Sequence, residues 1–248
     1  MMNNEGNIMF SQEEENNTNT IDSNTLHNTY NNFYEKKISQ SQQDKKYVES
    51  CSTLSPNNYK NRDGNPNKKY EKWELYHNQG YSARKNENFP LAIEYYTKAL
   101  NLNPKYFKAY FNRGFAYDKL GQYDNAISDY SKAIEVNPNS AYAYYNRAIS
   151  YDKKGELKQT FEDFSTAIKF LPTKIDFYLN RAYTSRKLKD FSSAITDYDK
   201  VIQLEKNNIK AYYNRGLCYE KLNQYNKAEN DFLTCLNLDS NNKNSNNV

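Results

Sequence analysis

The feature that most constrains this chain is a short string that returns at a fixed interval. Residues 144–148 read YYNRA, and nearly the same letters stand at 110–114 (YFNRG), 178–182 (YLNRA) and 212–216 (YYNRG). The spacing is 34 residues each time, without an insertion or a deletion. A period of roughly 20 to 50 residues is typical of stacked repeats, in which each unit buries its apolar face only against its neighbours.

Five units follow when Trp73 is taken as position 1 of the first: 73–106, 107–140, 141–174, 175–208 and 209–242. Position 8 is always Gly or Ala, and positions 4 and 24 are always aromatic. Positions 4, 8 and 11 share one helical face, and positions 17, 20, 21, 24, 27 and 28 share another. Because a turn such as LGQYD (120–124) lies between them, the pattern predicts two helices per unit and an all-α solenoid.

Outside the units the composition changes. Residues 1–66 are dominated by Asn, Gln, Ser, Thr and Lys, and residues 241–248 are a short polar stretch. The mean hydropathy of −1.10 is too polar for a packed core along the whole chain. We therefore expect a disordered arm over 1–66, a five-repeat domain over 67–240 and a disordered tail over 241–248.

Charge and chemistry exclude several classes of function. The formal net charge is only +4, from 34 basic and 30 acidic residues, which is not typical of a dedicated nucleic-acid-binding protein. The two histidines, His27 and His77, are far apart, and the chain has no Gly-rich phosphate loop, nucleophile–base pair or metal-spaced cluster. We expect a protein that is not an enzyme, with no catalytic residues, no cofactor and no metal site.

The compartment is predicted from three cysteines and from the absence of long apolar runs. Cys51, Cys218 and Cys235 lack metal or disulfide spacing, and an odd count suits a reducing compartment. The opening residues MMNNEGNIMF have no apolar core of signal-peptide length, and no later run is long enough for a bilayer. We expect a soluble protein of the cytoplasm without a membrane partner; these features do not distinguish the cytoplasm from the nucleus.

The units resemble the tetratricopeptide repeat, a 34-residue helix–turn–helix family. The segment AYFNRGFAYDKLGQYDNAISDYSKAIEVNPN (109–139) carries the pattern most fully. The resemblance implies a right-handed α-solenoid with a concave binding surface. It is specific for the fold and much less so for function, because one scaffold serves many partners.

Arg at position 7 and Asp at position 23 occur together in units two to five, and both are missing from unit one, which has Gln79 and Tyr95. If each Arg paired with the preceding unit, Arg113 would face Tyr95 and Asp231 would be left alone. Pairing within one unit leaves no position-7 arginine and no position-23 aspartate without a partner. We predict a partly buried ion pair between the two helices of each unit, with a structural role.

Asn recurs at position 6 although it is a mediocre helix former. In tetratricopeptide arrays this position faces the concave surface, where a carboxamide can meet both the N–H and the C=O of an extended peptide. The predicted ladder is formed by Asn78, Asn112, Asn146, Asn180 and Asn214.

Two further rows accompany the ladder. Position 13 is seven residues, or two helical turns, beyond position 6, so its side chains are expected on nearly the same face. It is always a lysine: Lys85, Lys119, Lys153, Lys187 and Lys221. Position 9 lies between them and supplies Tyr81, Phe115, Ile149 and Tyr183. These rows predict a groove for an extended, partly acidic peptide with apolar anchors.

Three functions compete for this groove. The first is a protein–protein interaction adaptor that holds an extended peptide. The second is a co-chaperone, whose carboxylate clamp in this family requires Lys at 5 and Asn at 9, then Asn at 6, then Lys at 2 and a basic residue at 6. Only the middle Asn is satisfied in every frame. The third is RNA binding, which the acidic residues interspersed at position 12 disfavour.

The last unit differs from the others at position 21, where Glu229 replaces a bulky apolar residue. An acid at a position that would otherwise be buried indicates that the stack stops at unit five. Leu236 persists at position 28, so we expect some apolar surface and a tendency to self-associate through the C-terminal repeat.

Overall fold

The computed structural model describes residues 71–245, with side chains described as far as Asp239. This range contains ten helices and no strand: α1 Lys72–Lys85, α2 Phe89–Leu102, α3 Phe107–Lys119, α4 Tyr123–Val136, α5 Ala141–Lys154, α6 Leu157–Phe170, α7 Ile175–Lys187, α8 Phe191–Leu204, α9 Ile209–Lys221 and α10 Tyr225–Ser245. Each helix packs on the next one along the chain. The predicted all-α solenoid is confirmed. The expected arm over 1–66 lies outside the described residues.

Small residues at position 8 let the two helices of a unit approach each other. A Cβ atom built on Gly114 would lie 3.0 Å from the ring of Tyr130, which is fully buried. At Gly216 the corresponding distance to Phe232 is 2.7 Å. Units three and four have Ala148 and Ala182 at this position, and both are fully buried. The small residue and the aromatic ring of position 24 therefore form one packing element within each unit.

The core continues from unit to unit. One cluster of buried apolar side chains includes Phe164 of α6, Phe177 of α7, Tyr198 of α8 and Cys218 of α9. The ring centroids of Tyr145 and Phe177, on the first helices of units three and four, are 4.7 Å apart. A helix pair completes its core only against its neighbours, as expected for a solenoid.

The turn between the two helices has the same backbone conformation in all five units. Position 15 adopts a positive φ at Glu87 (57°), Gly121 (71°), Gly155 (80°), Lys189 (62°) and Asn223 (58°). This region is unfavourable for residues with a Cβ atom, and only Gly and to some degree Asn enter it readily. The repeat geometry therefore imposes a strained backbone on Glu87 and Lys189.

We expect Lys189→Gly to raise the free energy of unfolding by about 0.5 to 1 kcal/mol, because relief of the left-handed strain exceeds the entropy that Gly adds to the unfolded chain. Asn223→Gly is the matched control and should change the stability by less than about 0.5 kcal/mol, since Asn tolerates this conformation. Urea unfolding followed by circular dichroism measures both. Equal effects of the two substitutions would contradict the strain argument.

The recurring arginine pairs within its own unit, as predicted. Arg147 donates from Nε to Oδ2 of Asp163 at 2.7 Å and from Nη2 to Oδ1 at 2.8 Å. The two side chains are 19% and 8% exposed. The same bidentate pairing joins Arg113 to Asp129, Arg181 to Asp197 and Arg215 to Asp231. The ion pair fixes the first helix of a unit against the second.

Each arginine makes a further contact that the sequence analysis did not anticipate. Arg147 Nη1 donates to Ser131 Oγ at 2.9 Å, on the second helix of the preceding unit. The other arginines reach the same position 25 of the unit before them, which holds Thr97, Ser165 and Asp199. The arginine therefore joins three helices from two units, and unit five has Leu233 at this position, which offers no acceptor.

Breaking this clamp should destabilise the array strongly, because the remaining charge would be buried without a partner. We expect Arg147→Met and Asp163→Asn each to lower the free energy of unfolding by about 3 kcal/mol, with a coupling of about 2 kcal/mol in the double-mutant cycle. The control is the Lys132–Glu135 pair, 53% and 62% exposed, whose coupling should stay below about 0.5 kcal/mol. Equal couplings in the two cycles would reject the structural role of the clamp.

The last helix is longer than the sequence analysis expected. The other second helices have 14 residues, whereas α10 has 21 and continues to Ser245, beyond the predicted domain boundary at 240. The polar residues after Leu238 contain no Pro or Gly, so nothing local ends the helix where the repeat period ends. Among the helices described, none combines the length and the apolar character needed to cross a membrane.

Candidate functional site: the first-helix face

The candidate site is the surface formed by α1, α3, α5, α7 and α9, which we call the first-helix face. Helix α1 contacts α3, and α3 contacts α5, although another helix separates each pair in sequence. Within residues 71–245 no two second helices contact each other to the same extent. The side on which successive units come closest is the inner side of a curved stack. The first-helix face is therefore the inner surface of this solenoid.

The lysines of position 13 are all exposed on this face. Three of them lie over the aromatic ring of position 9 on the same helix, one turn away. Lys187 Nζ is 4.7 Å from the ring centroid of Tyr183, and Lys119 and Lys85 lie 5.4 Å and 5.5 Å from the rings of Phe115 and Tyr81. Such cation–π contacts hold the charge close to an apolar surface. On these three helices the lysine and the aromatic ring are thus adjacent.

The face is not uniformly positive. Lys187 Nζ lies 2.7 Å from Oδ1 of Asp152, an ion pair that crosses from α7 to α5. Asp118 and Glu220 occupy the same repeat position as Asp152. Acids alternating with the lysine row reduce the continuous positive potential that a phosphate backbone would require. The surface is better described as mixed, with exposed cations at its edge.

The asparagines of position 6 divide into two groups. Asn112 is buried, and its Nδ2 lies 3.1 Å from Nε2 of His77 in the preceding unit. Asn180 donates from Nδ2 to the hydroxyl of Tyr145 at 3.0 Å, and Asn214 accepts from Arg186. Three carboxamides of the predicted ladder therefore link consecutive first helices, a role that the sequence analysis did not assign to them.

The other two asparagines form fewer hydrogen bonds within the described fold. Asn78 and Asn146 are half-buried. The carboxamide of Asn146 makes no hydrogen bond to any side chain or backbone group of the described part of the chain. A carboxamide offers two donors and an acceptor. Asn180, by contrast, uses both donors: one bonds the Tyr145 hydroxyl, and the other bonds the carbonyl oxygen of Asp176 at 2.7 Å. Three members of the predicted ladder thus position neighbouring helices, and the carboxamide of Asn146 has no such role among the described residues.

Asp118 occupies a position that sequence reasoning assigned to the groove and is instead hydrogen-bonded inward. It accepts from the hydroxyl of Tyr130 at 2.8 Å and from Ser150 Oγ of the next unit at 2.6 Å. Burial raises the pKa of its carboxyl group from 3.8 to about 6. The signal that was available in the sequence was the serine at 150, which has a hydroxyl within reach of the preceding unit.

The raised pKa makes a stability prediction. The folded state holds the Asp118 proton more tightly than the unfolded state, so the stability that this proton contributes is complete below pH 3.8 and is lost as pH rises through about 6. We expect the stability of Asp118→Asn minus that of the wild type to increase by roughly 2 kcal/mol between pH 4 and pH 7.5. Urea unfolding at several pH values measures it. A difference that does not change with pH would show that burial leaves this carboxyl unperturbed.

The described residues provide no group of His, Cys, Asp and Glu side chains suited to hold a metal ion. Cys218 and Cys235 are buried and form no disulfide, and burial raises the pKa of the Cys218 thiol to about 11. A thiol held in its protonated form is a poor nucleophile.

Comparison with protein families identifies the repeat. A family profile described as tetratricopeptide repeat matches residues 107–140 and 209–242, and a second with the same description matches 130–160. A profile described as TPR repeat matches 80–121 and 182–223. The chain belongs to the tetratricopeptide repeat family, whose arrays are typically non-catalytic scaffolds for protein–protein interaction.

Solved structures share the fold. The crystal structure of MamA is 24% identical, with a TM-score of 0.64, over 66% of this chain and 96% of that one. MamA 41-end from Desulfovibrio magneticus RS-1 is 17% identical, with a TM-score of 0.65, over 69% and 97%. YrrB, titled a TPR protein with an unusual peptide-binding site, is 18% identical, with a TM-score of 0.61, over 66% and 84%. Comparison with curated proteins gave no match.

Proposed function

We propose that this protein is a non-enzymatic adaptor that holds an extended peptide along its first-helix face. The observation that carries the proposal is the pair of adjacent rows at positions 9 and 13. These rows put an exposed lysine on every first helix and, one turn before it, an apolar side chain that is half-buried or exposed in units two to five. In unit one this side chain, Tyr81, is buried, against the expectation that it lines the groove. Such a surface, repeated along a solenoid, suits a linear ligand better than a compact one.

The spacing of the units supports a peptide of defined length. Packed helix axes lie about 8 to 10 Å apart, and an extended peptide rises about 3.3 Å per residue. Each unit would therefore face about three residues of ligand. Successive side chains of an extended chain point to opposite sides. If each unit faces three residues of the ligand, side chains six residues apart point to the same side. Such a ligand would therefore place an anchor against at least every second unit.

The chemistry of the rows favours a partly acidic peptide with apolar anchors. Lysines stacked over rings attract a carboxylate while the ring edge accepts an apolar side chain. Asn146, with its carboxamide unused by the fold, is placed to bond the peptide backbone. The likeness to YrrB, whose printed title names a peptide-binding site, is consistent with this use of the scaffold. We place this activity in the cytoplasm, where the free thiols would stay reduced.

Self-association through the last unit is a separate part of the proposal. Leu233 and Tyr225 of α10 are 44% and 59% exposed. Within the described residues no further unit packs on α10, so these side chains are uncovered there. A second copy of the chain is the partner that we propose for this end.

The adaptor proposal is tested by a matched pair of charge reversals. Lys119→Glu with Lys153→Glu changes the first-helix face, and Lys158→Glu with Lys169→Glu makes the same change of net charge on the exposed side of α6. We expect the first variant to weaken capture of cellular partners at least about tenfold, because each acidic contact is converted to repulsion. The second variant should keep them all. Capture from lysate, quantified by mass spectrometry, measures both.

Thermal unfolding must show that the two variants are equally folded. If both retain every partner of the wild type, the first-helix face is not the binding surface and the proposal is wrong.

A further inference from the structure

The charge of this chain is unevenly distributed along the sequence. Residues 1–35 contain six acidic residues and no lysine or arginine, which gives them a formal net charge of −6. Residues 36–248 contain 34 basic and 24 acidic residues, which gives a formal net charge of +10. The small overall charge of +4 therefore conceals an acidic part and a basic part that attract each other.

The acidic part contains one segment with two kinds of side chain in close succession. Residues 8–15 read IMFSQEEE. The first three letters are the only run of three apolar residues in 1–70, and the last three are the only run of three acids in the whole chain. Apolar anchors followed by carboxylates are the chemistry that the rows at positions 9 and 13 suit.

Both sides of this segment carry that chemistry. In an extended chain Ile8, Phe10 and Glu14 point to one side, whereas Met9, Glu13 and Glu15 point to the other. On either side, an apolar side chain and a carboxylate four residues later lie about 13 Å apart. Packed helices are about 8 to 10 Å apart, so the two side chains would meet neighbouring or next-but-one first helices.

Units three and four present suitable partners at the surface. Tyr183 on α7 is 49% exposed, and Lys153 on α5 is exposed. They are neighbours, because Lys187 Nζ lies 4.7 Å from the ring centroid of Tyr183 and 2.7 Å from Oδ1 of Asp152. Asp152 is thus paired with Lys187, and within the described residues no carboxylate forms an ion pair with Lys153. The unused carboxamide of Asn146 lies on the same helix as Lys153.

We propose that residues 8–15 bind the first-helix face of their own chain, over units three and four, as an internal ligand. The inference rests on the proposed peptide-holding function and names an occupant of that site. Residues 8–15 lie outside the described residues, and their sequence is what defines them as the occupant. An outside partner then has to displace them, so the segment lowers the affinity of the face for every other ligand.

The other aromatic segment of the acidic part is less well suited. Residues 30–37 read YNNFYEKK, with three aromatic residues but a single acid, which two lysines follow directly. These lysines would lie against the lysine row of position 13, and like charges at an interface repel each other.

The connection to the array is long enough for the segment to reach the face. Fifty-six residues, 16–71, separate the segment from the start of α1. A flexible chain of that length has a root-mean-square end-to-end distance of about 40 Å. The four steps between the five first helices also amount to about 40 Å. A linker that matches the distance to be spanned gives an effective concentration on the order of 1 mM, so even a weak contact is mostly formed.

The proposal is tested by NMR titration of the full, ¹⁵N-labelled chain with the peptide acetyl-IMFSQEEE-amide. The opened variant is E13Q/E14Q/E15Q, and we expect it to bind the peptide with a dissociation constant of about 0.1 mM or tighter. The amide resonances of Lys153 and Tyr183 should shift. The wild type should bind the same peptide at least about tenfold more weakly, because its own segment competes.

The matched control is E5Q/D22N/E35Q, which removes the same three charges from residues 1–35 and leaves the segment intact. We expect it to bind the peptide as weakly as the wild type. The counterpart acetyl-IMFSQQQQ-amide should bind the opened variant at least about tenfold more weakly than the acidic peptide, since the carboxylates are what the lysines attract.

Four results would overturn the assignment. Equal binding of the acidic peptide to the wild type and the opened variant, or no binding to either, would mean that the segment does not occupy the face. Equal effects of E5Q/D22N/E35Q and E13Q/E14Q/E15Q would mean that overall charge, and not this segment, is responsible. Shifts confined to the second helices would place the contact elsewhere. A competition that appears only at high chain concentration would mean that the segment binds a second copy of the chain.

The two proposals fail separately. If the wild type and the opened variant bind the peptide equally while Lys119→Glu with Lys153→Glu loses its cellular partners, the adaptor function stands and the internal ligand is wrong. If the wild type binds the peptide tenfold more weakly while that lysine variant keeps every cellular partner, the internal ligand stands and the adaptor function is wrong.

Discussion

The clamp at position 7 is the interaction on which the rest of this structure depends. One guanidinium binds the aspartate of its own unit with two donors and a hydroxyl or carboxylate of the preceding unit with a third. Apolar packing restricts the rotation of one helix on another through many weak contacts, and three directional bonds add a restriction of their own. The clamp therefore fixes the angle between units, and the same angle repeated places equivalent residues in straight rows. Without such regularity the rows at positions 9 and 13 would not be adjacent.

The same repetition explains why helix positioning and ligand binding compete for the same side chains. Successive first helices lie close together, so a polar group that faces the inner surface also faces the next helix. Asn112, Asn180 and Asn214 take partners on the neighbouring helix, and Asp118 takes Ser150. Lysine is less affected by this competition because its charge extends beyond the helix surface on a long stem, although Lys187 also pairs with Asp152 of the neighbouring first helix. The outer edge of the face is consequently left to the lysines.

The repeat period, the helix pairs and the in-unit arginine–aspartate pairing could all be predicted from the sequence, because each leaves a column with a strong chemical preference. The hydrogen bond to position 25 of the preceding unit could not, since Thr97, Ser131, Ser165 and Asp199 are of three residue types and have in common only a side-chain oxygen at one place. The left-handed turn was hidden for a related reason: Gly121 and Gly155 indicate it, but Glu87 and Lys189 do not. The partners of the asparagines depend on the distance between helices, which the spacing of residues along one helix does not encode.

Departures from the column carry as much information as the column itself. Gln79 and Tyr95 replace the clamp in unit one because no earlier unit is present for the third arm to reach within the described array. At position 12, Arg84 and Arg186 replace the acid of the other three units, and each hydrogen-bonds the hydroxyl of the position-24 tyrosine of its own unit, Tyr96 and Tyr198. A residue that maintains the stack is expected to be satisfied by the stack. Arg186 meets this expectation a second time through Asn214 of the next unit, so the departure at position 12 serves the same positioning of neighbouring helices as the asparagines do.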